Sequence, residues 1–99
     1  VVLADRKTMA EEGMVVVILP RTKHGWAFDE LQIISRGVVF MRHADQFIDG
    51  MRQEIIGNVK REQKLSDGQL MKKLERLVGS YVRENLERSP LVLASIVEV

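Results

Sequence analysis

Apolar positions fall into runs with two different periods, and the change of period divides the chain. Met14 to Leu19 is an unbroken aliphatic run closed by Pro20. It is too short for a free-standing helix, and its valines favour an extended strand. Leu31 to Arg42 forms a second β-rich run, interrupted at Arg36 and Gly37. A glycine within a strand pattern marks a bulge or a close approach of backbone. The expectation for Gly37 is therefore a bulged or positive-φ residue, with Arg36 aimed at an acidic partner. Thr22 to Gly25 reads as a turn, and Trp26 and Phe28 as cover for a core edge. The segment from Pro20 to Leu31 is too short for a crossover helix, so these two strands should pair antiparallel.

Beyond residue 44 the period lengthens. Asp45 is placed to cap a helix whose stripe is Phe47, Ile48, Met51, Ile55, Ile56 and Val59. Gly50 and Gly57 each weaken it by about 1 kcal/mol relative to alanine, unless something packs closely there. Ser66-Asp67-Gly68-Gln69 is a capping box, and Leu65 with Leu70 suits a hydrophobic staple. The second helix then carries Leu70, Leu74, Leu77, Val78, Tyr81, Val82 and Leu86, and Ser89-Pro90 stops it. Leu91 to Val99 returns as a strand. At the front, Asp5 to Glu12 has the makings of two helical turns, with Gly13 at the C-cap position. The pattern predicts one α+β domain over residues 1–99. Its form is a two-layer sandwich in which a small three-stranded, mostly antiparallel sheet packs on two α-helices, in the order β-β-α-α-β with a short helix first.

This arrangement contains an anomaly. Met14, Val16, Ile18 and the alternate set Val15, Val17, Leu19 are both wholly hydrophobic, and the last strand is apolar on both alternations too, through Leu91, Leu93, Val97 and Val92, Ala94, Ile96. Two helices cover only one face of a small sheet, whereas a solvated face should alternate with polar residues. Either these strands are central and doubly covered, or the far face meets a partner, most simply another copy in a homodimer.

Composition narrows the chemistry. Hydrophobic residues make up 45% and charged residues 29% of the 99, which is a globular rather than a disordered balance. A formal net charge of +1 gives no global pull toward nucleic acid or membrane. There is no cysteine, so neither disulfides nor thiolate metal sites are available. No run approaches a membrane span, and a cytoplasmic setting is expected. His24 and His43 are the two histidines, and neither has the neighbours of a two-metal hydrolytic site. The five serines lack a histidine partner in any recognised spacing, and there is no phosphate-binding glycine loop. No catalytic residue, metal site or cofactor is expected within the chain.

Local charge is more informative. Lys60, Arg61, Lys64, Lys72, Lys73 and Arg76 stand against three acids in the same stretch. Such a patch can grip phosphates without reading sequence, although a charge run on an amphipathic helix is by default its solvated face. No aromatic lies among these basics to stack a base, as single-strand binders require. Arg36, whose guanidinium offers five fixed donors, is a further candidate phosphate contact.

Arg6, Met9-Ala10-Glu11-Glu12-Gly13, the valine run, Ser35-Arg36-Gly37-Val38-Val39 and the closing Ile96-Val97-Glu98-Val99 together resemble the C-terminal domain of the ribonuclease J family. These are metallo-β-lactamase superfamily enzymes with an inserted β-CASP domain. The chain departs from the pattern at Val38, where members commonly carry an aromatic. The resemblance implies a non-catalytic domain cut from the C-terminus of a larger bacterial or archaeal ribonuclease, and the opening Val1-Val2-Leu3 reads the same way. It implies structural roles for Gly13, Ser35 and Gly37, and zinc in the absent catalytic domain. It also implies dimerisation or docking against upstream domains, with RNA reached through the parent enzyme. The alternatives are an autonomous RNA-binding module built on the Lys60–Arg76 patch and a small-molecule sensor with a buried polar pocket.

Overall fold

The computed structural model describes residues 12–38, 44–61 and 64–99. The short leading helix expected over Asp5–Glu12 lies outside these, apart from Glu12 at its end, which is helical. The elements are β1 (Met14–Thr22), β2 (Gly25–Trp26), a 3-10 turn (Phe28–Glu30), β3 (Gln32–Arg36), α1 (Ala44–Val59), α2 (Asp67–Leu86) and β4 (Leu91–Glu98). The α+β sandwich and its β-β-α-α-β order are as the sequence predicts. The sheet has four strands rather than three, because the return arm of the first hairpin pairs briefly as β2.

β1 is the central strand. It pairs antiparallel with β3, from Met14 opposite Arg36 to Ile18 opposite Gln32. On its other side it pairs parallel with β4, from Met14 beside Leu91 to Arg21 beside Glu98. The sheet is thus mixed. Pro20 does not end β1, contrary to expectation. A residue's N–H and C=O point to the same edge of its strand, and the Pro20 carbonyl accepts from Ala27 N on the hairpin side at 2.8 Å. The donor that proline lacks therefore falls on that side, and the ladder to β4 runs on uninterrupted. β3 is shorter than the predicted Leu31–Arg42 run and stops at Arg36, where Gly37 takes φ +70°. The remainder of that run, residues 39–42, lies outside the described residues.

Both helices cover one face. Val15, Val17 and Leu19 of β1 form a single core with Met51, Ile55 and Val59 of α1 and Leu70, Leu74, Val78 and Val82 of α2. All of these are at most 1% exposed. The predicted capping box is present: Ser66 Oγ accepts from Gln69 N at 3.2 Å, and Ser66 N donates to Gln69 Oε1 at 3.0 Å. Asp45 lies inside the first turn of α1 rather than before it. There a carboxylate favours the helix N-terminus through the dipole. α2 closes on Glu87, which adopts φ +54° and donates its N–H to Arg83 O.

The two glycines of α1 part company. A Cβ on Gly50 would run into the hydroxyl of Tyr81, whose ring packs on Phe47 at 5.2 Å between centroids. Gly50 thus makes room for the Tyr81 side chain between the two helices. A Cβ on Gly57 would meet nothing within 4 Å. Gly57→Ala should accordingly stabilise the fold by roughly 0.5–1 kcal/mol, read as a raised midpoint in urea unfolding with an unchanged slope.

Candidate assembly face and nucleic-acid interface

Register determines what each face of the sheet shows. Residues paired across strands point the same way, so the face away from the helices carries Met14, Val16 and Ile18 of β1, flanked by Ile34 of β3 and Leu93 of β4. One row crosses the sheet as Ile34–Val16–Leu93, and below it Pro20 stands beside Val97. Ile34 is 44%, Leu93 47% and Val97 42% exposed. No described element packs on this face. Among the described residues, polar side chains interrupt it at Arg36, Gln32 and Ser95, all exposed, and at Thr22 where β1 ends. Burying what remains of each large side chain would contribute on the order of 1 kcal/mol.

A cleft of 710 Å³ opens at one end of this face, over Ile18, Pro20 and Val97 and beside Asp29, Glu30 and Arg52. The Arg52 guanidinium donates to the Leu31 carbonyl. Sequence reasoning missed this cleft. Asp29 and Glu30 looked only like the end of a hydrophobic pattern, and nothing local ties them to Val97.

The opposite end is organised by glycines. Gly13 takes φ +92°, and a Cβ there would lie 2.6 Å from Val38 Cγ2, 2.7 Å from the Arg36 carbonyl oxygen and 2.8 Å from Gly37 C. A Cβ on Gly37 would in turn meet Gly13 Cα at 3.5 Å. The two motif blocks, distant in sequence, therefore interlock backbone to backbone. The start of β4 closes on the same point: Leu91 N donates to Gly13 O at 3.0 Å, Arg88 Nη1 donates to Gly37 O at 2.8 Å, and Ser89 N donates to Glu12 Oε2 at 3.3 Å. Ser35 stands beside Val15 on the inner face, partly buried. Arg36 is exposed on the outer face and has no acidic partner among the described residues.

The basic candidates lie elsewhere. Lys60 and Arg61 follow the end of α1, and Lys64 precedes α2; all three are exposed. Lys72, Lys73 and Arg76 recur at i, i+1 and i+4 on α2 and line a shallow cleft of 370 Å³ with Gln69 and Leu65. The helices sit on the inner face of the sheet, so Arg36 is separated from this group by the sheet itself. No aromatic ring lines the cleft.

A third cluster escaped the sequence reading. Arg21, at the end of β1, joins Asp67 at the start of α2 (2.5 Å) to Glu98 at the end of β4 (2.7 Å), with its guanidinium 5.3 Å from the Trp26 ring centroid. The hydrogen bond that Arg21 donates to Glu98 raises the Arg21 pKa, desolvation opposes it, and the charge of Asp67 adds to the rise. A raised arginine pKa contributes stability that is lost only as pH climbs past the unfolded value, far above neutrality. The cluster thus links the ends of three elements at the surface.

Among the described residues, no three His, Cys, Asp or Glu side chains converge to hold a metal ion, and no buried polar side-chain atom lacks a partner. No described helix is long and apolar enough to cross a membrane. A family model for the ribonuclease J C-terminal domain matches residues 1–99, the whole chain.

Proposed function

Since the chain belongs to the ribonuclease J C-terminal domain family, we propose that it serves its parent ribonuclease as a non-catalytic assembly domain, pairing with a second copy or docking against upstream domains. The observation that carries this is the outer sheet face, an apolar row with Ile34, Leu93 and Val97 each more than two-fifths exposed. A domain of net charge +1 has little self-repulsion to keep such faces apart. Cleavage of RNA belongs to the parent's metal-dependent site, of the metallo-β-lactamase type with its β-CASP insertion, and zinc is held there rather than here. The setting is the bacterial cytoplasm. Light scattering on the isolated chain at high micromolar concentration tests the pairing; twice the monomer mass supports it.

A second reading rests on the α2 cleft, where Lys72, Lys73 and Arg76 share one concave surface. Three cations at that spacing suit consecutive phosphates and help position RNA on its way to the distant metal site. Lys60, Arg61 and Lys64 extend the positive surface toward the turn between the helices. The triple substitution of Lys72, Lys73 and Arg76 by glutamine should lower the salt slope of RNA affinity, log against log, by about two. Unchanged slope and affinity would assign those side chains to a solvated face.

A further inference from the structure

The pairing reading leaves open how two copies would face one another, and the charges on the outer face bear on this. Arg36 and Gln32 stand at opposite ends of β3, about 13 Å apart at the spacing of an extended chain. Beyond Arg36 lies Arg88, and the one described carboxylate beside them, Glu12, accepts from Ser89 N, so cations outnumber acids at this end. Beyond Gln32 the cleft floored by Ile18, Pro20 and Val97 is flanked by Asp29 and Glu30, so that end is acidic. Neither carboxylate forms an ion pair with a described residue, and the cation beside them, Arg52, is engaged by the Leu31 carbonyl. Among the described residues, one face thus carries a cation without an acidic partner at one end and acids without an ion pair at the other, with an apolar row between.

Two copies packed face to face about a two-fold axis have two simple choices. With the axis along the strands, β3 of one copy lies over β4 of the other. Arg36 then falls on the apolar end at Leu91, and the acids stay unmatched. With the axis across the strands, β3 lies over β3 in reverse, and the Ile34–Val16–Leu93 row meets itself. Arg36 of each copy then falls on the acidic cleft of the other. Resting on the assembly reading, we infer that the copies pack outer face to outer face about an axis across the strands, each inserting Arg36 between Asp29 and Glu30 of its partner. Aligned sheets of this kind stack about 10 Å apart with a rotation of about 30°, which keeps both ends of β3 within side-chain reach.

The geometry predicts paired outcomes. Two-fold symmetry makes each substitution act twice. Arg36→Glu should therefore weaken the dimer roughly ten- to hundredfold, and so should the double change Asp29→Arg, Glu30→Arg. Combining all three changes should restore most of the affinity. These side chains are exposed, so the fold should tolerate the changes, and an unaltered far-ultraviolet circular dichroism spectrum verifies this. A second measurement does not depend on charge. The chain has no cysteine, so Ile34→Cys places one thiol per copy. With the axis across the strands this thiol faces its own equivalent, and a short bis-maleimide should link the dimer. With the axis along the strands it faces Leu93, and linkage needs a mixture of Ile34→Cys and Leu93→Cys chains. A dimer that ignores Arg36→Glu, or links only in the mixture, overturns this orientation while leaving the assembly reading intact. A chain that stays monomeric at high micromolar concentration defeats both the pairing and this orientation, and leaves the outer face to docking against upstream domains.

Discussion

Replacing Gly13 by alanine is expected to cost about 3 kcal/mol or more of folding stability, the largest effect of any single methyl added to this chain. Two penalties combine. At φ +92° an L side chain is strained, which by itself costs on the order of 1–3 kcal/mol. The new Cβ would also sit under 3 Å from the Arg36 carbonyl oxygen and Gly37 C, which are backbone atoms that cannot rotate away. Relief requires β3 to move from β1, and with it the Leu91 N–H that closes on Gly13 O. Gly37→Val, at φ +70° but with only Gly13 Cα nearby, should cost less, on the order of 1 kcal/mol or more. Chemical denaturation of both variants gives the ranking; equal losses would show that strain alone sets the cost and that the close approach is slack.

A pair of identical substitutions separates folding from assembly. Leu74 is fully buried at the centre of the α2 stripe, and its truncation to alanine should cost 2–5 kcal/mol by lost transfer energy and residual cavity. Leu93 makes the same chemical change at 47% exposure, so Leu93→Ala should cost less than about 1 kcal/mol in the folding of a dilute monomer. Their order should reverse in association. Leu93→Ala should weaken the dimer, whereas Leu74→Ala should leave its dissociation constant unchanged wherever the fold persists. Denaturation at two protein concentrations a hundredfold apart distinguishes the two contributions, since only assembly makes the midpoint depend on concentration.

The fold was legible where the determining signals were local. The capping box at Ser66, the two helical stripes and the unbroken Met14–Leu19 run each needed only a few neighbours in sequence. So did the antiparallel sense of β1 and β3, because the intervening segment cannot cross over. Features fixed by distant segments were not legible. Pro20 looked like a terminator, yet its missing donor points to the hairpin side, which only the pairing reveals. Gly37 takes the positive φ expected of it, but the sequence did not show that β3 ends there against Gly13, residues that meet through packing rather than sequence spacing. The Arg21 cluster unites three segments up to 77 residues apart, and no local pattern announces it. The candidate assembly face was half legible. Hydrophobicity on both alternations of β1 said that a second face existed, but not that Asp29 and Glu30 border it.

Of the two neighbours at the middle of β1, Val16 faces outward and Val15 is fully buried. The most direct test of the account is sedimentation equilibrium on the unmodified chain and on Val16→Glu, over a concentration range reaching high micromolar. The account predicts a dimer that Val16→Glu converts to a folded monomer, because symmetry brings two glutamates together at the centre of an apolar row. An unmodified chain that sediments as a monomer throughout, with its outer face open to solvent, would contradict it.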